Sequence, residues 1–492
     1  MQIHTPLEAS VIRLSLFLAT TLAATSLVAQ STSTPVTTTV VLRERTNATQ
    51  WFSATPSPEQ YGHQDSLLRI GIQQRMHQWD YQLELLQAAE LFLPNDAVSP
   101  VTAQGQLGLG GTYYASNSNN QFPAAASFKT GFLRYHFNES SALRVGRFEF
   151  FDGQETSPHN ATLAWLQSNR ISQRLVGNFG FSNAQRSFDG IEANTGNANW
   201  SVTAMAGRAT QGVFNMNANP ELNVDIQYLA YTRSLAHQHL LVRGFALGYH
   251  DGRTGVVKTD NRPLTAREAD HSNIRIGTYG TDAIGFVPAG HDTVDLLFWG
   301  ALQNGRWGTL NQRSGAFAME GGLRFDRVQT TPWLRAGAFR STGDNNPNDD
   351  IHNTFFQVLP TPRVYARDPF YNLMNSKDQF LQLIDKPTKK LNLRTDLHFL
   401  QLTAPADLWY QGGGAFDNKV FGFVGRPANN HASFSSVYDV SADYALNTQL
   451  SFGLYYAHVF GKSVVAAIYP ADRASNYGYF ELDYKLSRPF TR

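Results

Sequence analysis

The stretches SFSSVYDVSADYALNTQLSFGLYYAHVF (433–460) and YFELDYKLSRPF (479–490) decide the fold. In the first, Phe434, Tyr438, Val440, Ala442 and Tyr444 share one parity, and Val437, Asp439, Ser441 and Asp443 share the other. After a turn near Asn447, Leu450, Phe452, Leu454 and Tyr456 repeat the apolar set. The last segment sets Phe480, Leu482, Tyr484 and Leu486 against Glu481, Asp483 and Lys485. Successive strand side chains point to opposite faces. About ten residues with one apolar and one charged face predict a strand with lipid outside and water inside.

The same alternation recurs upstream. Over 314–325, Phe317, Met319, Leu323 and Phe325 oppose Ala318, Glu320 and Arg324. Over 391–400, Leu391, Leu393, Leu397 and Phe399 oppose Asn392, Arg394, Asp396 and His398. Over 198–208, Trp200, Val202 and Ala204 oppose Ser201 and Thr203. The strand around 144–150 is ambiguous, because Arg147 and Glu149 share a parity with Leu143 and Val145. Short turns alternate with long segments at 46–64, 93–124, 152–185, 209–223, 251–274, 302–313, 341–375, 401–432 and 461–475. Short periplasmic turns and long extracellular loops are the barrel grammar. The expectation is all-β: a closed antiparallel transmembrane β-barrel of about 18 strands. Closure is required, since an open edge in lipid leaves backbone groups unpaired.

Composition agrees. Beyond the N-terminus no run approaches the roughly 18 apolar residues of a spanning helix. The mean hydropathy of −0.32 fits a chain whose hydrophobicity lies in alternation. Residues 1–29 read as a secretory signal: Arg13 precedes the apolar stretch Leu14–Val28, and Ala24-Thr25-Ser26 or Leu27-Val28-Ala29 supplies the cleavage site. Residues 30–37 read as a flexible lead and 38–492 as the barrel, in the bacterial outer membrane. Without Cys there are no disulfides or thiolate sites. A net charge of +1 offers no field for nucleic acid. Of the 40 basic residues 9 are Lys and 31 Arg, and Arg matches carboxylates with two parallel bonds.

Val145-Gly146-Arg147 and the run from Gln173-Arg174-Leu175-Val176-Gly177-Asn178-Phe179-Gly180-Phe181-Ser182-Asn183 to Arg186-Ser187-Phe188-Asp189-Gly190 resemble the bacterial alginate-export family. So do the 295–308 segment, Asn372-Leu373-Met374-Asn375, Asp407-Leu408-Trp409-Tyr410 with Gly412-Gly413-Gly414, and Asp439-Val440-Ser441-Ala442-Asp443-Tyr444. The resemblance implies an eighteen-stranded, monomeric outer-membrane channel for anionic polysaccharide or related sugar-acid solutes, with room for a periplasmic export partner. The inward wall positions are mixed in sign: Arg324, Arg335, Arg394 and Lys485 against Glu320, Asp396, Asp439, Asp443, Glu481 and Asp483.

Selectivity is expected in the 152–185 loop, folded inward to narrow the pore. Arg170, Arg174 and Arg186, with Arg324 and Arg394 on the wall, are the candidate substrate-binding residues. The plainer alternative pairs Arg186 with Asp189 at the rim. In the 361–390 region Arg363 and Arg367 stand near Tyr365, Phe370 and Tyr371, which read first as an interface aromatic belt. Residues 343–350 are rich in oxygen ligands but lack EF-hand spacing. The 14 His form no metal-ligand pattern, so no metal or cofactor is expected. The alternative function is a rim enzyme acting on envelope glycan or lipid, with Asp152 and Glu155 as its acid pair. No nucleophile motif accompanies that pair.

Overall fold

The computed structural model describes residues 34–56, 59–361 and 365–490. The expected signal segment, residues 1–29, lies outside them. Eighteen strands form one closed sheet: β1 Thr37–Trp51, β2 Glu59–Met76, β3 Trp79–Leu91, β4 Ala124–Asn138, β5 Ser141–Phe148, β6 Phe188–Asn197, β7 Trp200–Thr210, β8 Glu221–Leu235 and β9 Leu240–Asp251 make up the first half. β10 Ile274–Ala289, β11 Asp292–Trp307, β12 Leu310–Arg324, β13 Trp333–Ser341, β14 Ser376–Thr388, β15 Leu391–Leu402, β16 Ser433–Ala445, β17 Leu450–Gly461 and β18 Ala474–Pro489 complete it. Each strand pairs antiparallel with its sequence neighbour. β1 and β18 close the ring, from Thr37 opposite Pro489 to Gln50 opposite Asn476. No edge is left for lipid to contact.

The two faces separate as the alternation requires. Leu296, Leu302, Met319, Leu381 and Leu454 are exposed on the outer wall, whereas Ala318, Glu320, Asp396 and His398 are buried on the inner one. The ambiguous strand resolves with Ala142 and Phe148 inside and Val145 outside. Arg147 therefore faces outward and pairs with Asp189 on β6 at 2.5 Å.

Three expectations are corrected. The long loop at 302–313 does not exist: Trp307 and Leu310 are direct partners joined by Gly308-Thr309, with Gly308 at φ +62°. Polar Gln303, Asn304, Arg306 and Arg313 mimic a loop in composition but lie within β11 and β12. Phe434 does not face lipid. Pairing slips from Leu400–Ser435 to Gln401–Ser433, and this bulge turns Phe434 inward onto Trp409, ring centroids 4.9 Å apart. The aromatics of 365–371 form no interface belt. Tyr365, Phe370 and Tyr371 are buried inside the barrel, and Phe370 packs against Phe52, Trp409 and Phe434. Arg363 lies outside the described residues.

The long loops fill much of the lumen. Leu163, Leu166, Leu175 and Val176 from one loop and Phe355, Phe356, Val358 and Leu359 from another share a core with wall residues Phe148, Phe188 and Trp299. Burial of this apolar surface against the inner wall holds the loops in place.

Candidate functional site

The segment between β5 and β6 crosses the barrel interior. Asn160 starts a short helix, Ala161–Leu166, by accepting hydrogen bonds from the backbone N–H groups of Thr162 and Leu163 at 2.9 and 3.2 Å. A π-turn, Gln167–Ile171, follows. Ser157, Pro158, His159 and Asn160 line a cavity of about 320 Å³ with Ser140, Asn197, Asn199 and Gln238 of the short turns. The loop thus leaves the long-loop end and reaches the opposite, periplasmic mouth. Trp165 lies 4.7 Å from Trp333, and the Arg324 Nη1 donates to Thr162 Oγ1 at 2.8 Å, which ties the helix to the wall there.

Its main anchor is Glu320 on β12. Arg170 meets that carboxylate with two bonds, Nε at 2.7 Å and Nη2 at 2.9 Å, and Arg174 Nη2 donates to it at 3.3 Å. Arg335 on β13 approaches from the wall at 3.2 Å and also holds Asp295 at 2.9 Å. All three guanidinium groups are buried. Tyr365 lies between two of them, 4.5 Å from the Arg170 carbon and hydrogen-bonded to Arg174 through its hydroxyl at 2.9 Å. Burial works against the charge of Arg170, but the Glu320 carboxylate overrides it and raises its pKa. Arg170 and Arg174 therefore join the loop to the wall through one shared carboxylate.

Arg186 is different. It does not pair with Asp189, which faces outward to Arg147. Its side chain is fully buried and donates one bond, from Nη2 to the Gly413 carbonyl at 2.5 Å. Among the described residues Nε and Nη1 have no hydrogen-bond partner. Burial, with no carboxylate to offset it, lowers its pKa to about 9. Arg394 is spent on Asp396 at 2.5 Å and on the Tyr365 carbonyl at 2.6 Å, and Arg324 on Asp326 at 2.6 Å. The structure thus brings Arg170 and Arg174 together, with Arg394 reaching the same Tyr365, but not Arg186 or Arg324.

Other anchors escaped sequence reasoning because they join residues far apart in the chain. Arg43 on β1 donates to the carbonyls of Gly180, Phe181 and Ser182 and to Asn183 Oδ1, at 2.7–3.1 Å. Asp152 Oδ1 accepts from the N–H groups of Leu175 and Val176 at 3.1 and 2.7 Å, folding the loop back on itself. Burial pushes its carboxyl up to about 7, against the pull of Arg243. Glu155 is held by Arg243 at 3.1 Å and by the Tyr228 hydroxyl. Asp152 and Glu155 thus belong to an ion-pair network centred on Arg243, which also holds Asp282 at 2.7 Å.

A separate hairpin, Leu408–Gly412 paired with Phe423–Pro427, packs on this loop from the far side. Gly413 permits that approach, and its two glycine neighbours allow equally close contacts within the hairpin and with the Val358 segment. A Cβ on Gly412 would lie 2.3 Å from the Gly422 carbonyl oxygen, on Gly413 2.3 Å from the Phe179 ring, and on Gly414 2.3 Å from the Val358 carbonyl oxygen. Asp407, at the hairpin base, accepts from Thr354 Oγ1 at 2.6 Å, Tyr410 Oη at 2.8 Å and the Asp344 N–H at 3.0 Å. Burial holds its carboxyl at about 6 despite these donors.

Residues 124–467 match the alginate export family. No curated protein matches in sequence. Among solved structures, Pseudomonas aeruginosa OpdK with vanillate is similar at a TM-score of 0.55 and 9% identity, covering 92% of this chain and 99% of that one. Acinetobacter baumannii OccAB2 is similar at a TM-score of 0.56 and 10% identity, with 92% and 98% covered. Pseudomonas aeruginosa OccK2 (OpdF) also reaches 0.56, at 9% identity and the same coverage. At such identities the likeness concerns the fold. The eighteen-strand closure and the family match, which spans the folded-in loop and the glycine hairpin, together make this chain an outer-membrane β-barrel channel of the alginate export family.

Proposed function

We propose that the channel passes small carboxylated solutes of the sugar-acid type by passive diffusion, and that the 149–187 loop is its selectivity gate. The observation that carries this reading is Arg186: a buried guanidinium on that loop, with two nitrogens unbonded and no carboxylate beside it. A carboxylate that reaches this guanidinium when the packed loop moves supplies the missing partner through charge-assisted bonds. Arg170 and Arg174 hold the gate shut through Glu320 rather than meeting the solute. The packed lumen favours a small acid over a bulky polymer while the loop is docked. The vanillate named with OpdK is itself a small carboxylate, which is in keeping with this chemistry. The test is uptake into proteoliposomes. Glucuronate should enter faster than glucose with the native protein, and Arg186→Ala should abolish the difference while neutral uptake persists. Equal discrimination in the variant would reject Arg186 as the contact.

A further inference from the structure

The inner wall carries a second cluster that the loop anchors do not use. Asp396 on β15 and Asp439 on β16 are direct cross-strand partners. His398 stands two residues beyond Asp396 and so on the same face. One ligand atom from each of the three lies within 4.8 Å of the other two. That spacing suits a single cation, with ligands at about 2.0–2.2 Å. All three side chains are buried, His398 completely.

The surroundings are those of a metal site. His398 Nδ1 is held by Asp378 at 2.9 Å, which leaves Nε2 as the ring nitrogen without a hydrogen-bond partner. A carboxylate behind an imidazole is the arrangement that fixes the tautomer and orientation of a metal-binding histidine. Asp396 is oriented by Gln382 at 2.6 Å and Arg394 at 2.5 Å, and Asp439 by the Tyr455 hydroxyl at 2.9 Å. Asp378, Asp396 and Asp439 face two guanidinium groups, Arg394 bonded to Asp396 and Arg170 farther off, which leaves net negative charge in a buried position. A bound cation offsets it. A similar trio, His63, Asp65 and Glu90, is equally close-set. There, however, neither ring nitrogen of His63 has a hydrogen-bond partner among the described residues, so nothing fixes that imidazole as Asp378 fixes His398.

We propose that His398 Nε2, Asp396 and Asp439 bind one divalent transition cation of the zinc or manganese class, with Asp378 as the positioning residue. The cation would clip β15 to β16, and Asp378 extends the clip to β14. Tyr455 links the site to the lumen segment above it, since its oxygen accepts the Asp368 N–H at 3.0 Å. The inference is independent of which solute the channel passes.

The test uses tag-free, full-length barrel in detergent, dialysed against chelator and titrated with Co²⁺ by visible absorption and with Zn²⁺ by calorimetry. The expected result is one saturable equivalent with Co²⁺ ligand-field bands. His398→Gln and Asp439→Asn should each weaken it at least about tenfold, and Asp378→Asn by about 10–100-fold. His63→Gln should leave it unchanged. Heat-dependent gel migration reports folding of each variant, and if His398→Gln fails to fold, Asp439→Asn decides. Absence of saturable binding, binding unaltered in the folded variants, or loss on His63→Gln overturns the assignment.

Discussion

Replacing Glu320 by Gln should release the folded-in loop. The carboxylate stands among Arg170, Arg174 and Arg335, all buried, and among the described residues it is the acidic group that bonds to both loop arginines. Removing one partner of a buried ion pair costs about 3–5 kcal/mol, because the remaining charge is left uncompensated. Only the docked loop brings Arg170 and Arg174 to this position, so the cost falls on docking and not on the barrel. At about 1.4 kcal/mol per tenfold, the lower value shifts docked against released loop by roughly two orders of magnitude. Amide hydrogen exchange over 161–176 should quicken by that factor, and planar-bilayer recordings should show larger or more frequent conductance steps. Asp295→Asn is the control: its partners Arg335 and Trp333 both lie on the wall, so loop exchange should stay as in the native protein. Loop exchange and conductance that remain native-like in a folded Glu320→Gln barrel would refute the tether.

Asp152 predicts a pH dependence of the same loop's docking. Its carboxyl is raised from 3.8 to about 7 in the docked loop. Its contribution to docking is fully present below about pH 4 and is lost as pH rises through 7. Conductance should therefore increase between pH 5 and 8, and Asp152→Asn should flatten that rise. Asp407→Ala strands several buried donors at about 1–3 kcal/mol each. Limited proteolysis should then cut within 343–361, while heat-dependent gel migration of the barrel stays unchanged. Leu454→Arg places a charge on the lipid face, where the residue is 56% exposed. It should cost up to about 2–4 kcal/mol in urea titrations of vesicle-inserted protein if its site is near the bilayer midplane, whereas a flat response would place β17 away from lipid.

The wall was legible because lipid imposes a rule on every second residue, and that rule survives changes in residue identity. Where the rule is broken, the cause is local. A bulge turned Phe434 inward, and β11 and β12 take on loop-like composition around Arg306 and Arg313. The lumen obeys no such period. Glu320 showed itself as an inward residue, but nothing in its neighbourhood of the chain announces that Arg170 and Arg174, some 150 residues earlier, would converge on it. The same holds for His398, whose two-residue spacing from Asp396 is unremarkable until Asp439 arrives from the neighbouring strand. The length of the 152–185 segment pointed to a loop that folds inward, and the structure places that loop inside the barrel. Which arginine stays uncompensated depends on where the carboxylates stand once the barrel closes. That difference separates Arg186 from Arg170 and Arg174. Introducing a carboxylate beside Arg186, as in Gly413→Asp, would not test it, since any side chain there collides with Phe179. Removing the arginine charge while leaving the tethers intact does, which makes Arg186→Gln the substitution on which the assignment of roles turns: it should erase anion preference without loosening the loop, and Glu320→Gln should do the reverse.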